Sequence, residues 1–281
     1  MMPRHLTKII IAALAALALA PLVYLAAVQR GEAQDTLRHG AAAPADTIPE
    51  AINRYVENIA FGAGERLTFD IGYGFINAGS ATMEVAKLID YRGRPAYQIV
   101  TTAQSNKFFS SFYPVSDRAE SIVDAIGLFS WHFEKVLREG KYRAERACDF
   151  DQIGRTAIYK NDTIPVPPYV QDALSALYYV RTQPLEVGRS LFVDNFTDGK
   201  HYPLEVKIHR KEKIATKAGQ FDCLVVEPLL QTAGIFKHEG KLTVWLTDDR
   251  LRLPVMMKSK VVVGSITAEL VDYRLGRLEE F

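Results

Sequence analysis

LTFDIGYGFINAGSATMEVAKLIDYRGRPAYQIVTTA, residues 67–103, holds the pattern on which the fold turns. Leu67, Phe69, Ile71 and Tyr73 alternate with Thr68, Asp70 and Gly72. Gly74 to Gly79 reads as a turn, and Ala81, Met83, Val85, Lys87 and Ile89 resume the alternation. A second turn at Arg92-Gly-Arg-Pro95 leads into Tyr97, Ile99, Thr101 and Ala103. Period-two runs separated by Gly- and Pro-bearing turns are the signature of antiparallel strands with one buried face.

The pattern continues downstream. Strands are expected near 116–125, 129–138, 141–151, 155–160, 190–198, 201–211, 221–228, 240–247, 254–263 and 265–275, with Asp198-Gly199 as a hairpin turn. Three segments break the period. Pro49–Ile59 has Ile52, Tyr55, Val56 and Ile59 at the spacing of a short amphipathic helix. Ser105–Pro114 (SNKFFSSFYP) is a polar–aromatic cluster of neither period. Tyr169–Thr182 follows Pro167-Pro168, stops before Pro184, and places Val170, Leu174, Leu177 and Tyr178 on one helical stripe. So many strands cannot form one flat sheet, because unpaired edges recruit other chains. The expected architecture is therefore all-β: a strongly curved antiparallel sheet or incomplete barrel, with one or two short helices and a preceding N-terminal apolar helix. The 170–182 helix is expected to lie inside the curl or across its mouth.

The N-terminus speaks to location. Arg4, His5 and Lys8 precede an uncharged apolar run from Ile9 to Val28. A basic segment before an apolar one directs the remainder out of the cytoplasm. Ala18-Leu19-Ala20 has the form of a cleavage site but Pro21 follows it, so residues 1–28 stand as either a signal peptide or an N-terminal membrane anchor. Residues 29–49 read as a flexible linker, and residues 50–281 as one exported, periplasmic β-rich domain. Contact with the membrane is expected only through the N-terminal segment, whose residues 9–28 would tether an uncleaved chain to the inner membrane.

Composition excludes some functions. Residues 1–49 hold Arg4, Lys8, Arg30 and Arg38 against Glu32, Asp35 and Asp46, which leaves 30 basic and 30 acidic residues in the body. A body without net charge carries no electrostatic footprint for nucleic acid. Cys148 and Cys223 each sit in the apolar register of a strand, so they read as buried free thiols or, in an oxidising compartment, as a bridge.

Motifs for chemistry are missing. His238-Glu239 starts like a zinc helix, but Leu242 stands where the second histidine belongs. His201 and His209 are eight residues apart on one strand, roughly 26 Å at strand rise, too far for one metal. His132 lies on a polar strand face with Ser130 and Glu134. No nucleophile elbow, P-loop, dinucleotide fingerprint or C-x-x-C occurs, so no cofactor, metal or catalytic residue is assigned and a non-enzymatic protein is expected.

One strand poses a puzzle. In KLTVWLT, residues 241–247, Leu242, Val244 and Leu246 share a face while Trp245 lies opposite them with Lys241 and Thr243. Either a neighbouring element covers Trp245, or it lines an amphipathic pocket with Tyr73, Phe108, Phe109, Tyr113 and Trp131. The second reading makes those six residues a candidate site for lipid or a lipoprotein chain.

Three stretches resemble a known family. Ala218–Pro228 (AGQFDCLVVEP), Phe112–Ser121 (FYPVSDRAES) and Val244–Val255 (VWLTDDRLRLPV) are similar to landmarks of domain-of-unknown-function family 3108 of exported bacterial proteins, and the likeness runs from about Gly64 to Gly276. The resemblance implies a secreted or periplasmic β-rich domain and carries over no catalytic residue. At fold level it is also similar to curved-sheet carriers of the Gram-negative periplasm. The expected function is a cell-envelope protein that binds an apolar ligand or acts in envelope assembly, with lipid, a lipoprotein or an envelope protein as the expected partner. The alternatives are an envelope glycan or lipid hydrolase, or a structural module that pairs through an open sheet edge.

Overall fold

The structure, a computed structural model, describes residues 52–230, 242–260 and 264–281. The signal or anchor segment, the linker and His238 lie outside the described residues. No helix of the described residues is long and apolar enough to cross a membrane.

Fourteen strands form one antiparallel sheet. The first meander comprises β1 (Arg66–Tyr73), β2 (Ile76–Tyr91), β3 (Arg94–Ser105), β4 (Ser116–Asp124), β5 (Ser130–Glu139), β6 (Tyr142–Asp151), β7 (Thr156–Tyr159) and β8 (Asp162–Pro165). The second comprises β9 (Ser190–Thr197), β10 (Lys200–Thr216), β11 (Gly219–Leu230), β12 (Leu242–Thr247), β13 (Pro254–Lys260) and β14 (Ser265–Arg274). Pairing of β1 with β14 joins the two meanders, which leaves β8 and β9 as the edges. The fold class is as expected: all-β, curved and unclosed. The short β8 escaped the sequence pattern, since its four residues DTIP offer no alternation to read.

The alternation works as the sequence implied. Leu67, Met83, Thr101, Ala119 and Lys135 sit opposite one another across β1 to β5 and form one inward row. Phe69, Ala81, Ala103 and Asp117 form the next. Each fully buried Leu, Val or Phe of such a row contributes roughly 1.5–3 kcal/mol of transfer free energy. Asp198-Gly199 closes the β9–β10 hairpin with φ of 49° and 85°, the left-handed pair that a two-residue hairpin turn requires.

Two helices interrupt the strands: α1 (Lys107–Ser110), a single turn, and α2 (Ala173–Thr182). Helix α2 is packed within the curl: Leu174, Ala176, Tyr178 and Val180 belong to the main core cluster. Of the expected stripe, Val170, Leu174 and Tyr178 are buried and Leu177 is half-buried. Its N-cap is a capping box, in which Asp172 accepts from the N–H groups of Leu174 and Ser175 while the Ser175 hydroxyl accepts from the Asp172 N–H. The other Asp172 oxygen accepts from the Ser121 and Ser130 hydroxyls, both at 2.5 Å, and so pins the helix to β4 and β5.

The helix expected over 49–59 does not form. The described part, Ile52 to Ile59, is an extended strap without helical turns, and Tyr55 and Ile59, which a helix would have buried, are exposed. Tertiary contacts override the spacing. The Val56 N–H donates to the Ile126 carbonyl at 2.9 Å. Arg54 donates to the carbonyls of Gly127 and Leu128, both at 2.6 Å, and its guanidinium stacks on Tyr169 and Tyr179.

Near-closure of the curl relies on the segment before α2. The Ser130 N–H donates to the Val170 carbonyl, the Gln171 N–H to that of Asp194, and the Phe196 N–H to that of Gln171. Val170 and Gln171 thus link β5 to the edge strand β9. Phe150 and Tyr159 from the first meander pack with Phe196 from the second, so side chains cover what ladder bonds leave open.

Candidate functional site

Alternating turns send the hairpin ends to two rims. One rim carries the turns β1–β2, β3–β4, β5–β6, β7–β8 and β9–β10. Its aromatic content is high. Phe75, at the β1–β2 tip, is fully exposed; Phe108 is 69% exposed, and Ile76, Phe112 and Tyr142 are also exposed. Helix α1 sets the spacing of the phenyl groups. Its N-cap Asn106 accepts from the Phe109 N–H at 3.0 Å and donates to the Asn77 carbonyl at 2.7 Å, which fastens α1 to the start of β2. Phe108, Phe109 and Phe112 stack at 5.4–5.5 Å between centroids, with Phe109 buried beneath the other two.

The same rim is basic. Lys107, Lys141, Lys160, Lys200 and Lys260 are all exposed there, and none is paired with a carboxylate among the described residues. Asp162 is an exposed carboxylate in the same turns.

Just inside the rim lie inward-facing charges. Lys135, 3% exposed, reaches Asp198 at 2.8 Å and so braces β5 against the β9–β10 turn across the mouth. Beside it lie the buried side chains of Asp117 and Glu139, close enough for the charge on Asp117 to act on Glu139. Burial first, and then the Asp117 charge, push Glu139 up to about 8, against the pull of Lys135. Burial also raises Asp117. Asp117 Oδ1 accepts from the Arg138 N–H at 2.8 Å, while its buried Oδ2 has no N–H donor. A proton on Glu139 would offer that oxygen a donor. Tyr113 packs over the pair, and burial, Glu139 and Asp117 in that order raise its phenol. The ring needs Gly140 beneath it: a Cβ there would stand 2.3 Å from Tyr113 Cε2. The arrangement stores one proton.

The six aromatic residues expected to line one pocket fall in three places. Phe108, Phe109 and Tyr113 do come together at the rim through α1, and Tyr73 ends β1 at the same rim with its ring beside Gly264. Trp131 is elsewhere. It packs with Ala96, Ile122 and Phe129 in a separate cluster and donates to Asp124 at 3.3 Å. Trp245 lies on the outer sheet face, opposite Val225 and Met256. It is covered by its own chain. The β10–β11 hairpin bends at a bulge between Ile208 and Arg210, then folds back over β12, β13 and β14. Lys217 at its tip reaches Asp70 of β1 at 2.5 Å, Phe221 stacks near Tyr273 of β14, and Glu212 accepts from the Trp245 indole N–H at 3.2 Å. The covering reading of Trp245 is the one the geometry supports.

The histidines are dispersed. His132, His201 and His209 meet Asp149, Asp194 and Glu227 at 2.7–2.8 Å, and His132 also has Glu134 at 3.9 Å. Ser130 leaves the polar face assigned to it with His132, because a register shift after Ile122 turns it inward to Asp172. Among the described residues no group of three or more His, Cys, Asp or Glu is placed to hold a metal. Cys148 and Cys223 are buried and free, and burial pushes both thiols up to about 12.

Comparison with known proteins follows this geometry. The model of a family described as "Protein of unknown function (DUF3108)" matches residues 68–271. The chain belongs to the DUF3108 family. The match spans β1 to β14 and includes the whole carboxyl pair. No curated protein sequence matches this DUF3108 chain. Among solved structures, it is similar to a β-barrel-like protein of family DUF1849 from Brucella abortus, with a TM-score of 0.54, 11% identity, and coverage of 77% of this chain and 99% of that one. A provisionally assigned lipoprotein from Parabacteroides distasonis scores 0.36 at 10% identity, covering 79% and 100%. A provisionally assigned exported protein of YmcC-like fold from Bacteroides fragilis scores 0.31 at 14% identity, also covering 79% and 100%. The first likeness extends the barrel-like fold beyond DUF3108.

Proposed function

We propose that this DUF3108 protein is a non-enzymatic cell-envelope protein, exported by its basic–apolar N-terminal segment, that docks on anionic lipid through the aromatic–lysine rim. The observation that carries the reading is that exposed Phe75, Ile76, Phe108 and Phe112 share one rim with lysines that have no carboxylate partner among the described residues. Aromatic and aliphatic side chains that project from hairpin tips gain by entering the acyl boundary, and surrounding lysines are each worth about 1 kcal/mol near an anionic surface. Among the described residues the inward-facing apolar side chains belong to the packed core, while the rim exposes its apolar side chains to a ligand.

The test uses Phe108→Trp in the full chain, titrated with vesicles of brominated phosphatidylglycerol. Both native tryptophans are buried, so new quenching reports position 108. Quenching with a blue shift is expected, weaker on phosphatidylcholine and weaker again with Lys107→Glu and Lys141→Glu. Unchanged emission on anionic vesicles would end the proposal, because insertion of the N-terminal segment alone leaves position 108 in water.

A further inference from the structure

The opposite rim holds a separate site. A cleft of about 430 Å³ opens between the N-terminal strap, the C-terminal end of α2 and the β12–β13 loop. That volume suits a small organic ligand. Its polar lining is Arg54, Glu57, Thr182, Gln183, Arg250 and Arg252, with Arg181 among the lining residues. Tyr55, Ile59 and Tyr179 supply an apolar flank.

The guanidiniums differ in what they have left to give. Arg181 is spent: it holds Glu65 by two hydrogen bonds and the carbonyls of Ala60 and Leu251 by the rest. Arg54 uses Nε and one terminal nitrogen on Gly127 and Leu128. Arg250 is exposed and has no carboxylate partner among the described residues. Arg252 donates to the Arg181 carbonyl at 3.4 Å, and its buried Nε has no acceptor. A buried N–H without an acceptor costs free energy until one arrives. The loop is built to hold this geometry: Asp249 Oδ1 accepts from the Leu251 and Arg252 N–H groups at 2.9 and 3.0 Å, and Arg252 sits at φ 42°. Against Arg54, Arg250 and Arg252 the cleft itself presents a single carboxylate, Glu57.

We propose that this cleft binds an oxyanion, phosphate or carboxylate, carried by a small ligand whose apolar part lies against Tyr55, Ile59 and Tyr179. The planar fork of arginine matches such groups with two parallel hydrogen bonds, and the exposed Arg250 is the donor available for it. The site faces away from the aromatic rim, so it is independent of lipid docking.

Calorimetric titration of the full chain in detergent decides it, with inorganic phosphate, glycerol 3-phosphate and acetate as probes and sodium chloride matched for ionic strength. Saturable binding of a phosphate or carboxylate probe is expected, weakened at least tenfold by Arg250→Ala and less by Arg250→Lys. Stronger binding of glycerol 3-phosphate than of inorganic phosphate supports the apolar flank and marks a phosphomonoester as ligand; preference for acetate marks a carboxylate. Arg250 is exposed, so its variants keep the fold, and a matching melting temperature verifies this. Heat no greater than that of chloride, or equal affinity in wild type and Arg250→Ala, overturns the assignment.

Discussion

Arg181 and Glu65 lie 116 residues apart in sequence and meet through two hydrogen bonds of 2.7 and 2.8 Å, with neither side chain exposed to solvent. The pair ties the end of α2 to the chain just before β1, and so holds the plug to the sheet. A buried charge stripped of its partner is far costlier than the pair itself is beneficial. Glu65→Ala is therefore expected to destabilise the fold by roughly 3–5 kcal/mol. The double change Glu65→Leu with Arg181→Met should recover much of that loss. Urea unfolding of the wild type and the two variants measures it; a double variant no more stable than Glu65→Ala contradicts the account.

What the sequence disclosed follows from which interactions are local. The Leu67–Ala103 alternation gave the strands because each inward position repeats every second residue, and Asp198-Gly199 gave its hairpin because few other residues accept that turn. The Ile52–Ile59 strap departs from its helical spacing because its conformation is set by carbonyls at 126–128, which no local spacing reveals. Trp245 was ambiguous for a related reason: the cover comes from a hairpin that bends back only after the bulge near His209. For the carboxyl pair there was a signal. Asp117 and Lys135 each occupy an inward position of an otherwise apolar register, beside Ala119 and Leu137, and a charge in that place demands a partner. The cleft arginines gave none, since Arg54, Arg250 and Arg252 converge from segments nearly two hundred residues apart.

The raised Glu139 carboxyl sets a pH dependence. Glu139 is raised from an ordinary 4.5 to about 8, so between those values the folded state binds a proton that the unfolded chain has released. Stability must then fall as pH rises across that window. Lys135, paired with Asp198, moderates the shift, and Tyr113 stays neutral throughout because its own phenol is raised. Glu139→Gln keeps a donor toward Asp117 and removes the titration. Chemical denaturation at pH 5 and pH 8.5 should show wild type losing stability with pH and Glu139→Gln losing less; equal slopes in both proteins would rule out this pair as the source.

The folded-back hairpin can be read through Trp245. With Trp131→Phe, Trp245 is the sole tryptophan, since the chain has two. It is 7% exposed, so its emission should be blue-shifted and poorly quenched by acrylamide. Phe221→Asp puts a charge into the contact between the hairpin and Tyr273. Burial of an unpaired charge is unfavourable enough to lift the hairpin from the sheet. Acrylamide quenching of Trp245 should rise severalfold while the far-ultraviolet dichroism keeps its β signature. Quenching unchanged by Phe221→Asp means that something other than this hairpin covers the indole.

Two thiols should be titratable in the unfolded chain without any reductant. Cys148 faces inward from β6 among Phe150, Tyr159 and Phe196, whereas Cys223 lies on β11 on the same outer face as Trp245. Strands β6 and β11 are nine places apart in the sheet order, and the two side chains point to opposite faces, so a bridge between them demands dismantling the sheet. Each thiol is raised to about 12 by burial, so thiolate is scarce at neutral pH and native alkylation should be slow. In strong denaturant at pH 8, iodoacetamide without reductant should add two carbamidomethyl groups per chain, read by intact-mass spectrometry. A chain that adds none until dithiothreitol is present holds a disulfide, and the opposed placement of β6 and β11 would then be wrong.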